Sequence, residues 1–217
     1  VGRTCDLLMA AGGGAFMSEV PEMFGAEAEI YERSSSALVQ DGAQGMIEGF
    51  KDYYRSHSQP VYENPSPGNK EGGITTLEEK SLGCVRKAGS SPIAGILPYG
   101  GASREAGLHL VSGPGNDLVS STALSAAGAH IVLFTTGRGT PFGAPVPTIK
   151  ISSNSSLAGR KPGWIDFDAG PILAGASFEA LSLELLRHII AVAEGRPTKA
   201  ELAGHRGISI FKEGVTL

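Results

Sequence analysis

The chain has 217 residues, 41% of them hydrophobic and 18% charged, with a net charge of −4. Scattered Lys and Arg and few aromatic residues exclude a nucleic-acid binder, which needs clustered cations or stacking rings. No apolar run approaches the roughly 20 residues that cross a bilayer, and the opening VGRTCDLLMAAGGG does not read as a secretory leader, so the expected setting is cytoplasmic with no membrane partner.

Cys5 and Cys84 have neither zinc-type spacing nor the numbers of a disulfide framework, and read as free thiols of a reducing compartment. The chain opens without Met inside a helical pattern. It therefore reads as the C-terminal part of a longer enzyme, whose N-terminal domain is an expected partner.

In chain order, residues 2–10 read as the end of a helix closed by Gly12–Gly14, and Ala15–Ser18 as a short strand. A long helical pattern (Ile30, Leu38, Met46, Ile47, Phe50, Tyr54) runs from Pro21 to about His57, with a break expected near Gly42. Residues 58–75 form a Pro/Gly/Asn-rich loop. Thr76 then caps a helix, with Glu79 at capping-box spacing. Ile93–Leu97 and Leu108–Val111 read as strands, Asp117–Ala127 as a helix, and His130–Thr135 as a strand of the kind buried in a parallel sheet. Val146–Ile151 and Trp164–Phe167 are further strands, with a short helix from Asn154 or Ser155 between them. Phe178–Glu194 is an amphipathic helix, and the tail SIFKEGVTL is mixed and suited to capping a sheet edge. Strands alternating with helices predict one α/β domain over 1–217, a Rossmann-like, doubly wound, mainly parallel sheet with helices on both faces.

Thirty-one glycines, placed at the ends of apolar runs, point to tight loops open to a ligand. In such a sheet, ligands bind beyond the carboxyl ends of the strands. SGPGND, residues 112–117, joins a strand to a helix and suits an anion, or is simply a turn with an Asp N-cap. TTGRGTPFG, residues 135–143, presents Arg138 between glycines, suited to a carboxylate or phosphate, or merely solvated. Neither loop has dinucleotide or P-loop spacing. NPSPGNKEGGITTLEEKSLG, residues 64–83, is dense in polar side chains without apolar anchors, so a ligand or partner is expected to order it. A buried Lys there can act as a base, whereas Glu78, Glu79 and Lys80 equally suit a solvated first helical turn. SEVPEMFGAE offers Glu19, Glu22 and Glu27 to a divalent cation, although Glu22 and Glu27 read better as helix N-terminal charges. The five histidines lack metal-ligand spacing.

Read together, SEVPEMFGAE, NPSPGNKEGGITTLEEKSLGC, GPGNDLVSSTALSAAGAHIVLFTTGRGTPFG, VPTIKISSN, RKPGWIDFDAG and IFKEGVTL resemble the altronate/galactarate dehydratase family, which includes sulfolactate sulfo-lyase subunits. The resemblance spans nearly the whole chain. It implies a lyase that removes water from a sugar acid to give a 2-keto-3-deoxy acid, with a divalent metal, Fe(II) or Mn(II). SEVPEMFGAE and FKDYYRSHSQPVYENPSPGNK look closer to altronate than to galactarate dehydratases.

On that reading Arg138 or Lys150 holds the substrate carboxylate, while Lys70 or Lys80 removes the adjacent proton or stabilises the enediolate. Asn64, Asn69, Thr75, Thr76, Asn116 and Thr136 read the substrate hydroxyls. The metal ligands are unassigned, with Glu19 and Glu79 as weak candidates. A homo-oligomer is expected to be possible, and the competing reading is a non-catalytic scaffold for the rest of such an enzyme.

Overall fold

The computed structural model describes residues 1–61, 67–71 and 73–214, with only the backbone of residues 68 and 69. The fold is α/β, with helices around two three-stranded parallel sheets. In the first, β3 (Gly107–Val111) lies between β1 (Gly14–Met17) and β2 (Ile93–Leu97), with Ala15 opposite Leu108 and Leu97 opposite Val111. In the second, β5 (Thr148–Ser152) lies between β4 (Val132–Thr136) and the two-residue β6 (Phe167–Asp168). Every residue of β5 is buried, as expected for a central parallel strand covered on both faces. Parallel strands with helices around them agree with the expected doubly wound α/β fold. The division into two sheets is not expected from the sequence, because pairing partners are tertiary and leave no mark in periodicity.

The first sheet carries the larger core. Val20, Phe24, Ile30, Ile47, Phe50, Val85, Ile93, Leu108 and Leu110 pack together with relative exposures of 8% or less. They come from β2, β3 and four helical segments: the 3-10 turn Val20–Met23, α2 (Glu27–Glu32), α3 (Ala37–Ser56) and α5 (Leu77–Val85). Ahead of β1 lies α1 (Gly2–Ala10), and α4 (Pro67–Glu71) is a single short turn before α5. The helix α6 (Asp117–Ala127) links the two sheets, following β3 and leading into β4. Around the second sheet, Ile149, Ile151 and Phe167 pack on Leu185 and Val192 of α8 (Phe178–Ala193). Two short helices, α7 (Ser155–Arg160) and α9 (Lys199–Leu202), complete the fold.

Three local expectations need correction. The helical pattern of 21–57 breaks twice, at Gly25 and across Ser34–Ser36, but not at Gly42. Gly25 has φ 92°, and Ser36 caps α3 by accepting from the Val39 N–H, whereas Gly42 lies within an unbroken α3. The Thr76–Glu79 capping box is shifted: Thr76 Oγ1 accepts from the Glu79 N–H, but the Glu79 carboxylate reaches the N–H and hydroxyl of Thr75. Trp164 belongs to a turn over Lys161 and not to a strand, its ring 4.1 Å from the Lys161 ammonium. The tail is irregular from Gly204. It crosses to the first sheet, where the Phe211 N–H donates to Tyr99 Oη and the Gly214 N–H to Tyr53 Oη.

Glycines inside α3 give a direct test of this register. A Cβ at Gly45 or Gly49 would meet nothing within 4 Å, whereas at Gly42 it would press on Ile96 Cγ1 at 3.1 Å. Gly45→Ala and Gly49→Ala are each expected to stabilise the fold by about 0.5–1 kcal/mol in chemical denaturation. Gly42→Ala should gain less or lose stability. Equal gains at all three positions would contradict the packing of α3 on β2.

Candidate functional site

The carboxyl end of β1 leads into Ser18 and Glu19, and the 3-10 turn then begins at Val20, with Pro21 in its first turn. Glu19 is left-handed, at φ 65° and ψ 59°, a conformation that costs a non-glycine residue on the order of 1 kcal/mol or more. The loop after β3 lies directly on this reversal. The Val20 N–H donates to the Gly113 carbonyl at 3.0 Å, and a Cβ on Gly113 would collide with Ser18 Oγ. Only glycine at 113 lets the two loops approach this closely.

A third side comes from α5. The Lys80 ammonium donates to Glu22 Oε1 at 2.9 Å, and the Cys84 thiol donates to Glu22 Oε2 at 3.0 Å. The Lys80 and Glu22 side chains are 13% and 22% exposed, so their attraction is less screened than that of a surface pair. Asp117 opens α6 on the far side, beneath the Asn116 N-cap, which accepts from the Val119 N–H.

Burial dominates the electrostatics of this cluster. Burial, then the Glu22 and Asp117 charges, pushes the Glu19 carboxyl up to about 7, against the opposing pull of Lys87 and Lys80. The Asp117 carboxyl is raised by burial and Glu22, with Lys87 opposing. Burial pushes the Cys84 thiol up to about 12, which makes it a neutral hydrogen-bond donor and not a thiolate nucleophile. Ser18 Oγ lies beside Glu19, buried and without a hydrogen-bond partner among the described residues. A carboxyl that changes charge near neutrality, beside a fixed ion pair and an unsatisfied hydroxyl, is an arrangement suited to proton transfer.

The residues chosen from sequence fall in three places. Lys80 and Glu19 are in this cluster, and Asn116 adjoins it, also lining a cavity of about 250 Å³ with Phe50, Tyr53, His57 and Phe211. Thr75, Thr76 and Glu79 are engaged with one another in capping α5; the two bonds from Thr75 hold the Glu79 carboxyl below its ordinary range. The remainder lie by the second sheet. Arg138 pairs with Glu71 at 3.2 Å, both side chains about three-quarters exposed, and Lys70 is the exposed neighbour of Glu71 on α4. Thr136 Oγ1 accepts from the Gly139 N–H at 2.8 Å. Lys150 is buried in β5, its ammonium donating to the Thr140 carbonyl at 2.8 Å, with its pKa lowered by burial. It braces the 137–143 loop from within. Asn64 and the Asn69 side chain lie outside the described residues.

Sequence reasoning missed Glu22 in this role, together with Cys84, Asp117 and Ser18. Glu22 is an acidic residue in the first turn of the 3-10 helix, as expected, and is in addition the acceptor between Lys80 and Cys84. The available signal was the spacing of four that places Lys80 and Cys84 on one face of α5. Among the described residues, no three His, Cys, Asp or Glu side chains are placed to hold a metal ion. The donor set here therefore does not fit an iron or manganese centre, since the Cys84 thiol is protonated and Lys80 is bound to Glu22.

Residues 1–216 match the family model described as D-galactarate/altronate dehydratase, C-terminal. The chain belongs to that family. It is 50% identical over 217 residues to the altronate dehydratase of Escherichia coli K12, covering all of this chain and 44% of the relative. It is 51% identical over 218 residues to that of Bacillus subtilis 168, with the same coverage. The galactarate dehydratase (L-threo-forming) of E. coli K12 is 35% identical over 198 residues, covering 90% of this chain and 38% of the relative. The chain thus spans less than half the length of these curated relatives. No helix among the described residues is long and apolar enough to cross a membrane.

The raised carboxyl has a stability signature. Glu19 titrates near 4.5 when unfolded and about 7 when folded, so the folded state holds the extra proton between those values. Its contribution is complete below about pH 4.5 and is lost as pH rises through about 7, on the order of 3 kcal/mol in all. Thermal unfolding between pH 5 and 8 should therefore show stability falling with pH, and Glu19→Gln should flatten that slope. An unchanged slope in the variant would remove Glu19 from the account.

Proposed function

We propose that this chain is the proton-transfer portion of a sugar-acid hydro-lyase that acts on altronate, yielding 2-keto-3-deoxygluconate. The observation that carries the reading is Glu19: a left-handed, half-buried residue whose carboxyl is pushed up to about 7 beside the Glu22–Lys80 pair. Altronate is favoured over galactarate by the higher identity to altronate dehydratases, 50–51% against 35%.

Dehydration of a 2,3-dihydroxy acid needs a proton removed from C2 and a proton supplied to the hydroxyl leaving C3. Glu19 takes the C2 proton, the C2–H electron pair becomes the C2–C3 double bond, and the C3–O bond breaks. The same carboxyl then returns its proton to the departing hydroxyl, which leaves as water, and the enol tautomerises to the 2-keto-3-deoxy acid. A group titrating near neutrality can both accept and return a proton at small cost. Lys80, held by Glu22, supplies positive charge to the enediolate, and Ser18 Oγ is the spare donor for a substrate oxygen. The iron or manganese implied by the family resemblance finds no three-residue donor set among the described residues, and no step above passes through it.

The full-length enzyme provides the test. Turnover should be highest on altronate among altronate, galactarate and sulfolactate with Fe(II) or Mn(II) supplied, and Glu19→Gln should lower kcat by about 100-fold or more. Full activity in Glu19→Gln would show that this portion scaffolds a site built elsewhere.

A further inference from the structure

The helix α5 presents more of a row than the proton-transfer reading uses. Lys80 and Cys84 lie four residues apart on one face, and Lys87 follows three residues later in the short 3-10 turn Arg86–Ala88 that continues the helix. The first two are fastened to Glu22. Lys87 is one turn further along the same row, and its charge acts on Glu19, Asp117 and Cys84 together.

The cations nearby are otherwise committed. Lys80 is paired with Glu22, and Arg86 and Arg33 are paired with Glu29. Lys87 is exposed and has no ion-pair partner among the described residues. The two cations expected from sequence to hold the substrate carboxylate are elsewhere, Arg138 paired with Glu71 and Lys150 bonded to Thr140. Among the described residues, a sugar acid entering this cluster meets one cation at the rim that is accessible and not already neutralised by contact.

We propose that Lys87 is the anchor for the substrate's C1 carboxylate and so determines that the enzyme takes an acid in preference to a neutral polyol. The inference rests on the proton-transfer reading of Glu19. Carboxylate on Lys87 at the rim places C2, one bond inward, toward the Glu19 carboxyl, with the hydroxyl-bearing carbons beyond it toward Asn116 and Ser18. The ammonium then sits against the oxygens that gather negative charge when the C2 proton leaves, so it favours the enediolate as well as the bound acid.

The experiment uses the full-length enzyme and altronate, together with altronamide, the neutral amide at C1. Lys87→Met is expected to raise KM for altronate at least 10-fold, with a smaller fall in kcat, and Lys87→Arg to recover most of the loss. In the Glu19→Gln background, altronate binding by calorimetry should weaken at least 10-fold on adding Lys87→Met, while altronamide binding changes less than 2-fold. A folding defect would weaken both ligands alike and would overturn the assignment. So would an unchanged altronate KM in Lys87→Met while Glu19→Gln remains inactive, and the proton-transfer reading would then survive alone. Full turnover by Glu19→Gln would instead remove the reading on which the inference stands.

Discussion

The site depends on one interaction: the Glu22 carboxylate held at both oxygens, by Lys80 on one and Cys84 on the other. It ties the 3-10 turn after β1 to the middle of α5, fifty-eight residues further along the chain. It shares that task with Ser81 of α5, whose hydroxyl donates to the Phe24 carbonyl at the end of the same turn. The surrounding core of Val20, Met23, Phe24 and Val85 is apolar, and apolar packing sets distance better than direction. A half-buried ion pair with an added thiol donor supplies that direction at a desolvation cost which its hydrogen bonds offset. The residues it orients are the ones that the proposed proton transfer uses, and Glu22 itself raises the Glu19 carboxyl by its charge.

The division of the tract 64–83 follows from the same anchoring. Its second half is bound to the first sheet through Lys80, while Glu71 in its first half reaches Arg138 beyond β4 of the second sheet. The two contacts differ in kind. The Lys80 contact is shielded and hydrogen-bonded, whereas the Arg138–Glu71 pair is exposed and is worth little on its own. The tract is therefore fastened firmly at one end and lightly at the other.

What could be read from the residues divides by the range of the physics involved. Strand positions, the Thr76 and Asn154 caps and the start of α6 at Asp117 are local, set by apolar period and side-chain oxygens within three residues. Where local rules allowed two partners, the reading slipped by a residue: Glu79 reached Thr75 in place of Thr76. Gly42 was a reasonable break by composition, yet α3 continues through it because Ala43, Ile47 and Phe50 are buried on one face. The split into two sheets and the role of Glu22 depend on residues distant in sequence, and no spacing encodes them. Lys150 shows the limit from the other direction. A lysine in a strand suggests a functional cation, but burial and the Thr140 carbonyl make it a brace.

The left-handed backbone at Glu19 has an evolutionary corollary. Glycine, or to a lesser degree asparagine, would sit at φ 65° with less strain, and either would also remove a carboxyl that is costly to bury. Selection for robustness alone would therefore drift away from glutamate at this position, and only selection for turnover opposes it. If Glu19 carries the proposed proton transfer, a retained glutamate there marks a lineage under catalytic selection, and its replacement by glycine or asparagine marks a copy released from it.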